Sequence, residues 1–570
     1  MKKIPSSKYR WIILLLLLVF VNYLASTFHF RIDLTQEKRY TLSNPTKRLL
    51  QHIEEPLTVT VFLSGDLPAG FKKLSKSTEE LLDEFRQTSG NRIQYKFEKP
   101  GEGLDDSAKK RMIDSLYMMG ISPTNVKAQT KSGESQQQQF VYPGAIVRSG
   151  SRTVGIDLLK GQSYEGGLNS LNKAEALLEY KFASAIQKVS TDSLPAIGYL
   201  LGNGEPLTYN VYDLIERTLK TNYRFDFLEI DRFPFIPAHF DALVIEKPTQ
   251  KFTDDQKLKL DQFVMRGGKI IWLIDQLYAE MDSLQRSRSD FVAYDRGLNL
   301  DDILFKYGVR INQDLVQDLQ CEKVPLVVGN MGNQPQVEFL PFPYFPLLSS
   351  YSNHPVSKNL DNILSIFPNS IDTVKSPGIR KTVLLATSDH SRTLSTPAIV
   401  SWNSVRVEED QKTYTRSHIP VAVLLEGKFS SLYTNRISSQ MRDSLANVYH
   451  HPFVPATDVE NKMIVISDAD IVMNVVTQQD GPLNMGMHQF NKYQYANKDF
   501  FLNCLEYLTN PTGILEARSK DYTLRLLDNT KVENNRGYWQ FLNIGVPVVF
   551  VALCGLLFAW IRKRKYSNPD

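Results

Sequence analysis

Two apolar runs, one near each end, constrain this chain more than anything between them. Trp11 to Phe30 and Phe541 to Ile561 are 20 and 21 residues long and contain no Lys, Arg, Asp or Glu. At ~1.5 Å rise per residue, each is long enough to cross a hydrocarbon core of about 30 Å as a helix. Basic residues beside a span resist translocation. Lys2, Lys3, Lys8 and Arg10 precede the first run, and Arg562, Lys563, Arg564 and Lys565 follow the second. The expected topology has cytoplasmic tails at residues 1–10 and 562–570, transmembrane helices at 11–30 and 541–561, and one large exported body between them. A cleaved signal peptide is the competing reading of the first run. That run is long for a signal core, and Ala25-Ser26-Thr27 is a poor cleavage site, which favours an uncleaved anchor.

The formal charge of +4 is carried by the two tails, which leaves the body at about −3 and offers nothing to attract nucleic acid. Of three cysteines, Cys554 lies in the second run, so Cys321 and Cys504 allow one disulfide at most. A body of this length must be held by hydrophobic cores, in two or three domains.

Residues 31–190 predict a first domain. Ser43 or Asn44 caps a short helix with Pro45 at its first turn. A strand at Leu57–Leu63, a helix over 71–88, a strand at Arg92–Glu98, a helix over 105–119, strands at 140–148 and 152–158, and a helix over 171–189 follow. The order βαβ, α, ββ, α is thioredoxin-like. The redox chemistry of that fold needs two cysteines after the first strand, and this chain has none there, so a scaffold or binding module remains. Ala128 to Gln139, AQTKSGESQQQQ, reads as a polar surface loop.

Residues 191–515 predict a second domain, flavodoxin-like, in which strands at 195–201, 224–230, 241–246 and 269–275 alternate with helices at 209–221 and 253–266. Further strands at 383–387, 420–426 and 462–467 and a helix at 498–508 belong to it, with insertions. Pro341 to Pro346, PFPYFP, is expected to cap the core or form an interface. Residues 516–540 are a membrane-proximal segment.

Open α/β sheets bind ligands beyond the carboxyl ends of their strands. That singles out Gly202, Asn203, Gly204 and Glu205, where two glycines permit close backbone approach and Glu205 offers a carboxylate; the competing reading is a plain strand-to-helix turn. Asp468-Ala469-Asp470 is the other carboxyl-end candidate, with turn chemistry as its competing reading. No P-loop, no His-Glu-x-x-His and no Gly-x-Ser-x-Gly occurs, and His450-His451 reads as an ordinary surface pair. No catalytic, metal-binding or cofactor-binding residue is assigned, and no cofactor is expected. Two spans make no translocation path, so a transport role needs a partner membrane protein; Asn543, Gly545, Pro547 and Gly555 in the second span permit close approach of a neighbouring helix.

Arg31-x-Asp33-Leu34-Thr35-x-Glu37-Lys38-Arg39-Tyr40-Thr41-Leu42-Ser43, Phe62 to Pro68 (FLSGDLP), Asp241 to Ile245 with the following helix and Gly267-Gly268-Lys269, and Leu298 to Leu304 (LNLDDIL) resemble the GldG family, auxiliary components of a gliding-associated ABC transporter. The resemblance implies a bacterial inner-membrane protein with residues 31–540 in the periplasm, working beside a GldF-like permease and a GldA-like ATPase in gliding motility, in a non-enzymatic, substrate-binding role. It carries over no catalytic residues. Relatives are expected to have Gly-His-Gly-Glu where this chain has Gly202-Asn203-Gly204-Glu205, which weakens a metal or acid–base role for the loop. The alternative is an envelope scaffold whose body binds peptidoglycan or motility proteins without moving solute.

Overall fold

The computed structural model describes residues 15–20, 22, 41–121, 123–129, 136–159, 168–191, 194–281, 283–284, 290–331, 334–402, 411–510, 512–519 and 536–566. Residues up to Asp521 form one compact unit and Tyr522–Asp570 a second. Most of the first apolar run and the Arg31–Tyr40 stretch lie outside the described residues; Leu15–Phe20 are helical and exposed.

The chain begins its regular structure with α1 (Asn44–Gln51), β1 (Leu57–Val61), α2 (Ala69–Thr88), β2 (Ile93–Phe97), α3 (Asp106–Met118), β3 (Gly144–Ser149) and β4 (Arg152–Asp157). Ser43 and Asp105 cap α1 and α3 through their side-chain oxygens. The four strands make a mixed sheet in the order β2-β1-β3-β4, with β2 parallel to β1, and β3 antiparallel to both β1 and β4. Alternation in LTVTV buries Leu57, Val59 and Val61 against Phe71, Leu82 and Phe85 of α2.

Two expectations change here. The helix over 171–189 is two helices, α4 (Leu168–Ala176) and α5 (Leu178–Ser190), broken at Leu177. Leu171, Ala174, Leu178, Phe182 and Ile186 keep helical spacing through the break, so periodicity does not betray it. Both ends of the polar AQTKSGESQQQQ stretch are strand rather than loop: Thr124–Gln129 and Gln136–Val141 pair antiparallel, and residues 130–135 lie outside the described residues. Val126 and Ala128 alternate with Asn125, Lys127 and Gln129 over too short a run to stand out, and Gln136–Gln139 is uniformly polar with no alternation to read.

The larger sheet follows, built from β5 (Ala196–Leu201), β6 (Arg224–Glu229), β7 (Ala242–Glu246), β8 (Lys269–Leu273), β9 (Ile379–Ala386), β10 (Pro420–Gly427) and β11 (Asn461–Ile466). Its order is β9-β10-β11-β8-β7-β5-β6. The run from β11 to β6 is parallel throughout, and β10 is antiparallel to both its neighbours. Taken in chain order, the parallel strands lie as second, first, third, fourth, fifth, which puts the reversal between β5 and β7.

The central strands are apolar end to end because both faces are covered. On one face Leu243, Ile245, Ile270 and Trp272 pack on Leu260 and Val264 of α6 (Asp254–Met265). On the other, Tyr199, Val244 and Ile271 pack on Leu214, Leu219 and on Phe500 and Phe501 of a later helix, α7 (Asn497–Thr509). Thr253 and Gln256 form a capping box at the start of α6. The helix expected over 209–221 passes instead through 3-10, α, π and again α turns over 209–222.

Phe342, Tyr344 and Phe345 of the PFPYFP stretch lie in a long antiparallel hairpin, Cys321–Met331 with Gln334–Leu348, and fill a small core of their own with Phe367. Cys321 and Cys504 are not joined by a disulfide. In the second unit, Gly537–Arg564 is long and apolar enough to cross a membrane. Phe541–Gly545 is wound as a π turn, where Asn543 Nδ2 donates to the Trp539 carbonyl at 2.9 Å.

Candidate functional site

The carboxyl ends of β5, β7, β8 and β11 converge on one edge of the parallel sheet, and each is followed within two residues by polar or charged residues: Gly202–Glu205, Lys247, Asp275 and Asp468–Asp470.

The Gly202–Glu205 turn is held by its own atoms. Glu205 Oε2 accepts the backbone N–H of Gly202 (3.0 Å) and of Asn203 (2.8 Å), folding the carboxylate back over the turn. Asn203, 1 % exposed, donates from Nδ2 to Gln256 Oε1 at 2.9 Å, and its carbonyl accepts from the Thr249 and Gln250 amides. The same Gln256 oxygen accepts the Thr253 amide of the capping box at 2.9 Å, so one side chain both starts α6 and fastens the turn. Gly204 has φ +80°, and a Cβ there would stand 2.2 Å from Thr249 Oγ1, which is why glycine occupies the position. Glu205 Oε1 and Asn203 Oδ1 are buried without a hydrogen-bond partner. Burial raises the Glu205 carboxyl above the usual range, against the lowering pull of the Asn203, Glu205 and Gly202 amides.

Lys247 dominates the middle of the edge. It leaves β7 with φ +44°, a left-handed turn unusual outside glycine, and only 5 % of it is exposed. Its Nζ lies 2.7 Å from Asp470 Oδ1, 3.0 Å from Asp275 Oδ2 and 3.2 Å from Glu280 Oε2. Arg296 pairs with the other oxygen of Glu280. Asp275 Oδ1 accepts the Ala469 amide at 2.7 Å, and Asp468 accepts the amides of Asp470 (2.9 Å) and Ile366 (2.8 Å) and the Ser365 hydroxyl. Glu246, next to Lys247, is fully buried with neither oxygen hydrogen-bonded.

Charge sorts these acids. Desolvation, reinforced by Asp275, holds Glu246 well above the usual carboxylate range, and desolvation with Asp470 and Asp275 does the same for Asp468. Asp470 is pushed up to about 7, because burial with Asp275 and Glu280 outweighs the opposing pull of Lys247. Burial would lower Lys247, but Asp275, Asp470 and Glu280 prevail and raise it well above the usual lysine value. The ammonium sits where a cation would bind, so the chain supplies its own counter-ion. Among the described residues no group of three His, Cys, Asp or Glu side chains is arranged to hold a metal ion.

Sequence reading found the turn and the Asp468–Asp470 pair; the structure joins the latter to Glu246, Lys247, Asp275 and Glu280, which it missed. A charged residue at the end of each apolar parallel strand was the available signal.

Residues 194–504, more than half of the chain, match the ABC-type uncharacterized transport system family of auxiliary components, and the chain belongs to it. Residues 36–148, which hold most of the smaller sheet, match a domain of unknown function. No curated protein matches. Among solved structures, the chain is similar to the mmIFT52 N-terminal domain at 12 % identity and a TM-score of 0.30, over 55 % of this chain and 97 % of that one. The family match gives the chain a part in an ABC-type transport system, and the helix at Gly537–Arg564 suits membrane association.

Proposed function

We propose that this protein is a non-enzymatic auxiliary subunit that couples a GldF-like permease and a GldA-like ATPase to a substrate or structure outside the inner membrane, in gliding motility. The observation that carries the reading is the family match, which spans every strand of the larger sheet. We read the chain as anchored at 11–30 and 541–561 with both tails cytoplasmic and residues 31–540 periplasmic, a topology supported by the flanking basic residues.

The strand order β2-β1-β3-β4, with β3 reversed, supports a thioredoxin-like first domain over 31–190, and the second-first-third-fourth-fifth order supports a flavodoxin-like domain over 191–515. In this reading the Gly202–Glu205 turn holds β5 against α6, because one oxygen of its carboxylate accepts the Gly202 and Asn203 amides of the same turn. The Lys247 network ties β7, β8 and β11 together at the edge where this fold class binds ligands.

The test is mild-detergent purification of tagged full-length protein from its own membranes, with mass spectrometry of what accompanies it. A multispan permease and an ATPase are expected. Recovery of cell-wall or motility proteins alone would replace the transport reading by the envelope scaffold.

A further inference from the structure

A cavity of about 560 Å³ lies between α5 and α7, inside the compact unit. Its volume falls in the range of about 300–1,000 Å³ typical of small-molecule sites, which favour junctions between packed layers. Val154 and Ile156 of β4 bring the smaller sheet to its wall, and Pro195, just before β5, brings the larger. Tyr180, also on the wall, packs against both cores.

The charges on this wall are spent inside the protein. Lys181 Nζ donates to the carbonyls of Asp157 (2.9 Å) and Leu158 (2.8 Å), and Lys188 Nζ to Asn222 Oδ1 (3.2 Å). The Arg518 guanidinium stands 4.9 Å over the Tyr180 ring and donates from Nη1 to Asn503, while its Nε and Nη2 are shut off from solvent. Among the acids, Glu506 accepts the Tyr180 hydroxyl at 2.6 Å, Asp241 the Ala196 amide at 2.8 Å and Asp157 the Leu159 amide at 2.9 Å. Asp499 sits in the first turn of α7, where the helix dipole favours its charge. Three cations thus stand among four acids, so a ligand of either sign meets repulsion as well as attraction.

The uncommitted surface is of another kind. Leu177, Leu194, Leu360 and Leu502 join Val154 and Ile156 as apolar wall. Ser184 and Tyr223 line the space too, and their hydroxyls have no hydrogen-bond partner among the described residues. Unlike the Arg518 nitrogens, neither hydroxyl is sealed off.

We propose that this cavity binds an uncharged, mainly apolar small molecule whose polar oxygen accepts from these hydroxyls. An ion would leave water for a wall whose charges are already matched, whereas an apolar body gains by displacing water from the leucines. Seated there, it would tie the smaller sheet to the larger. The inference goes beyond the transport-subunit reading and does not depend on it.

Isothermal titration of full-length protein in lipid nanodiscs, blanked against empty nanodiscs, tests it with benzylacetone, phenylbutyrate and phenylbutylammonium. The three probes share a phenyl ring and a short chain and differ in charge. Saturable heat is expected with benzylacetone, and binding about tenfold weaker or less with either ion. Tyr223→Phe keeps the wall and loses one hydroxyl, and should weaken benzylacetone binding about threefold to tenfold. Ser184→Leu fills space from α5 and should abolish binding with an unchanged far-ultraviolet spectrum. The proposal is overturned if benzylacetone gives no saturable heat, if either ion binds as tightly, or if either variant, folded, binds as the wild type does. The charge series on the wild type decides the matter if neither variant folds. Co-purification of a permease and an ATPase tests the transport reading separately, whichever way this result falls.

Discussion

Lys247 and Asp470, 223 residues apart in the chain, meet at 2.7 Å and join the carboxyl end of β7 to that of β11. Because Asp275 and Glu280 share the same ammonium, removing it strands three acids at one edge of the sheet. Breaking a buried pair from one side costs about 3–5 kcal/mol, far more than an exposed pair is worth. Lys247→Met, which keeps most of the side-chain volume, should therefore lower the urea unfolding free energy of the compact unit by about that amount. A loss below ~1 kcal/mol, the scale of a surface pair, would show that water reaches the network.

The acids around Lys247 also set a pH dependence. Glu246, Asp468 and Asp470 titrate above their free range of about 4 when folded, so the folded chain holds more protons than the unfolded chain between that range and the raised values. Their contribution to stability is complete below about pH 4 and is lost as pH rises, for Asp470 through about 7. Glu246→Gln removes one titrating group that makes no hydrogen bond. Apparent melting temperatures taken from pH 5 to 8 should fall less steeply in this variant than in the wild type. Parallel curves would show that Glu246 holds no more protons folded than unfolded over this range, and so is not buried as a neutral acid.

Glu205 separates the two readings of its turn. As a structural clamp it holds two amides, and Glu205→Ala should destabilise the unit by about 1–3 kcal/mol while gliding and complex assembly persist in whatever protein is folded. Full stability with lost gliding would instead make it a ligand contact.

Cysteine chemistry reports topology. Cys504 lies in the core of the larger sheet, where burial raises its thiol well above the ordinary value and leaves it unreactive. Cys321 is half-buried at the start of the long hairpin. A membrane-impermeant maleimide added to intact spheroplasts should label Cys321 and spare Cys504. Protection of Cys321 until the membrane is breached would place the body on the cytoplasmic side.

Removal of residues 522–570, the second compact unit, tests the first apolar run. The truncated protein should still sediment with membranes through residues 11–30. A soluble product would identify that run as a cleaved signal.

Much of the framework was legible because it is local. The membrane-capable helix at Gly537–Arg564 follows from length and missing charge, Ser43, Asp105 and Thr253 announce their helices, and the apolar runs of β5, β7, β8 and β11 could be read as buried parallel strands. Less was legible where the signal is weak or distant. Gln136–Gln139, in a strand paired with Thr124–Gln129, is uniformly polar and shows no alternation, and the break at Leu177 leaves the apolar spacing intact.

The candidate sites divide along the same line. Sequence by itself determined that polar residues would follow the strands of a parallel sheet and so where Gly202–Glu205 and Asp468–Asp470 would fall, because strand periodicity is a property of neighbours along the chain. Only the tertiary structure decided that Glu205 turns onto its own amides, that Lys247 fills the space among acids from β8 and β11, and that Arg518 stands over Tyr180 with one edge unmatched. Those outcomes depend on contacts between residues hundreds of positions apart and on the exclusion of water around them. Neither is present until the sheets have packed.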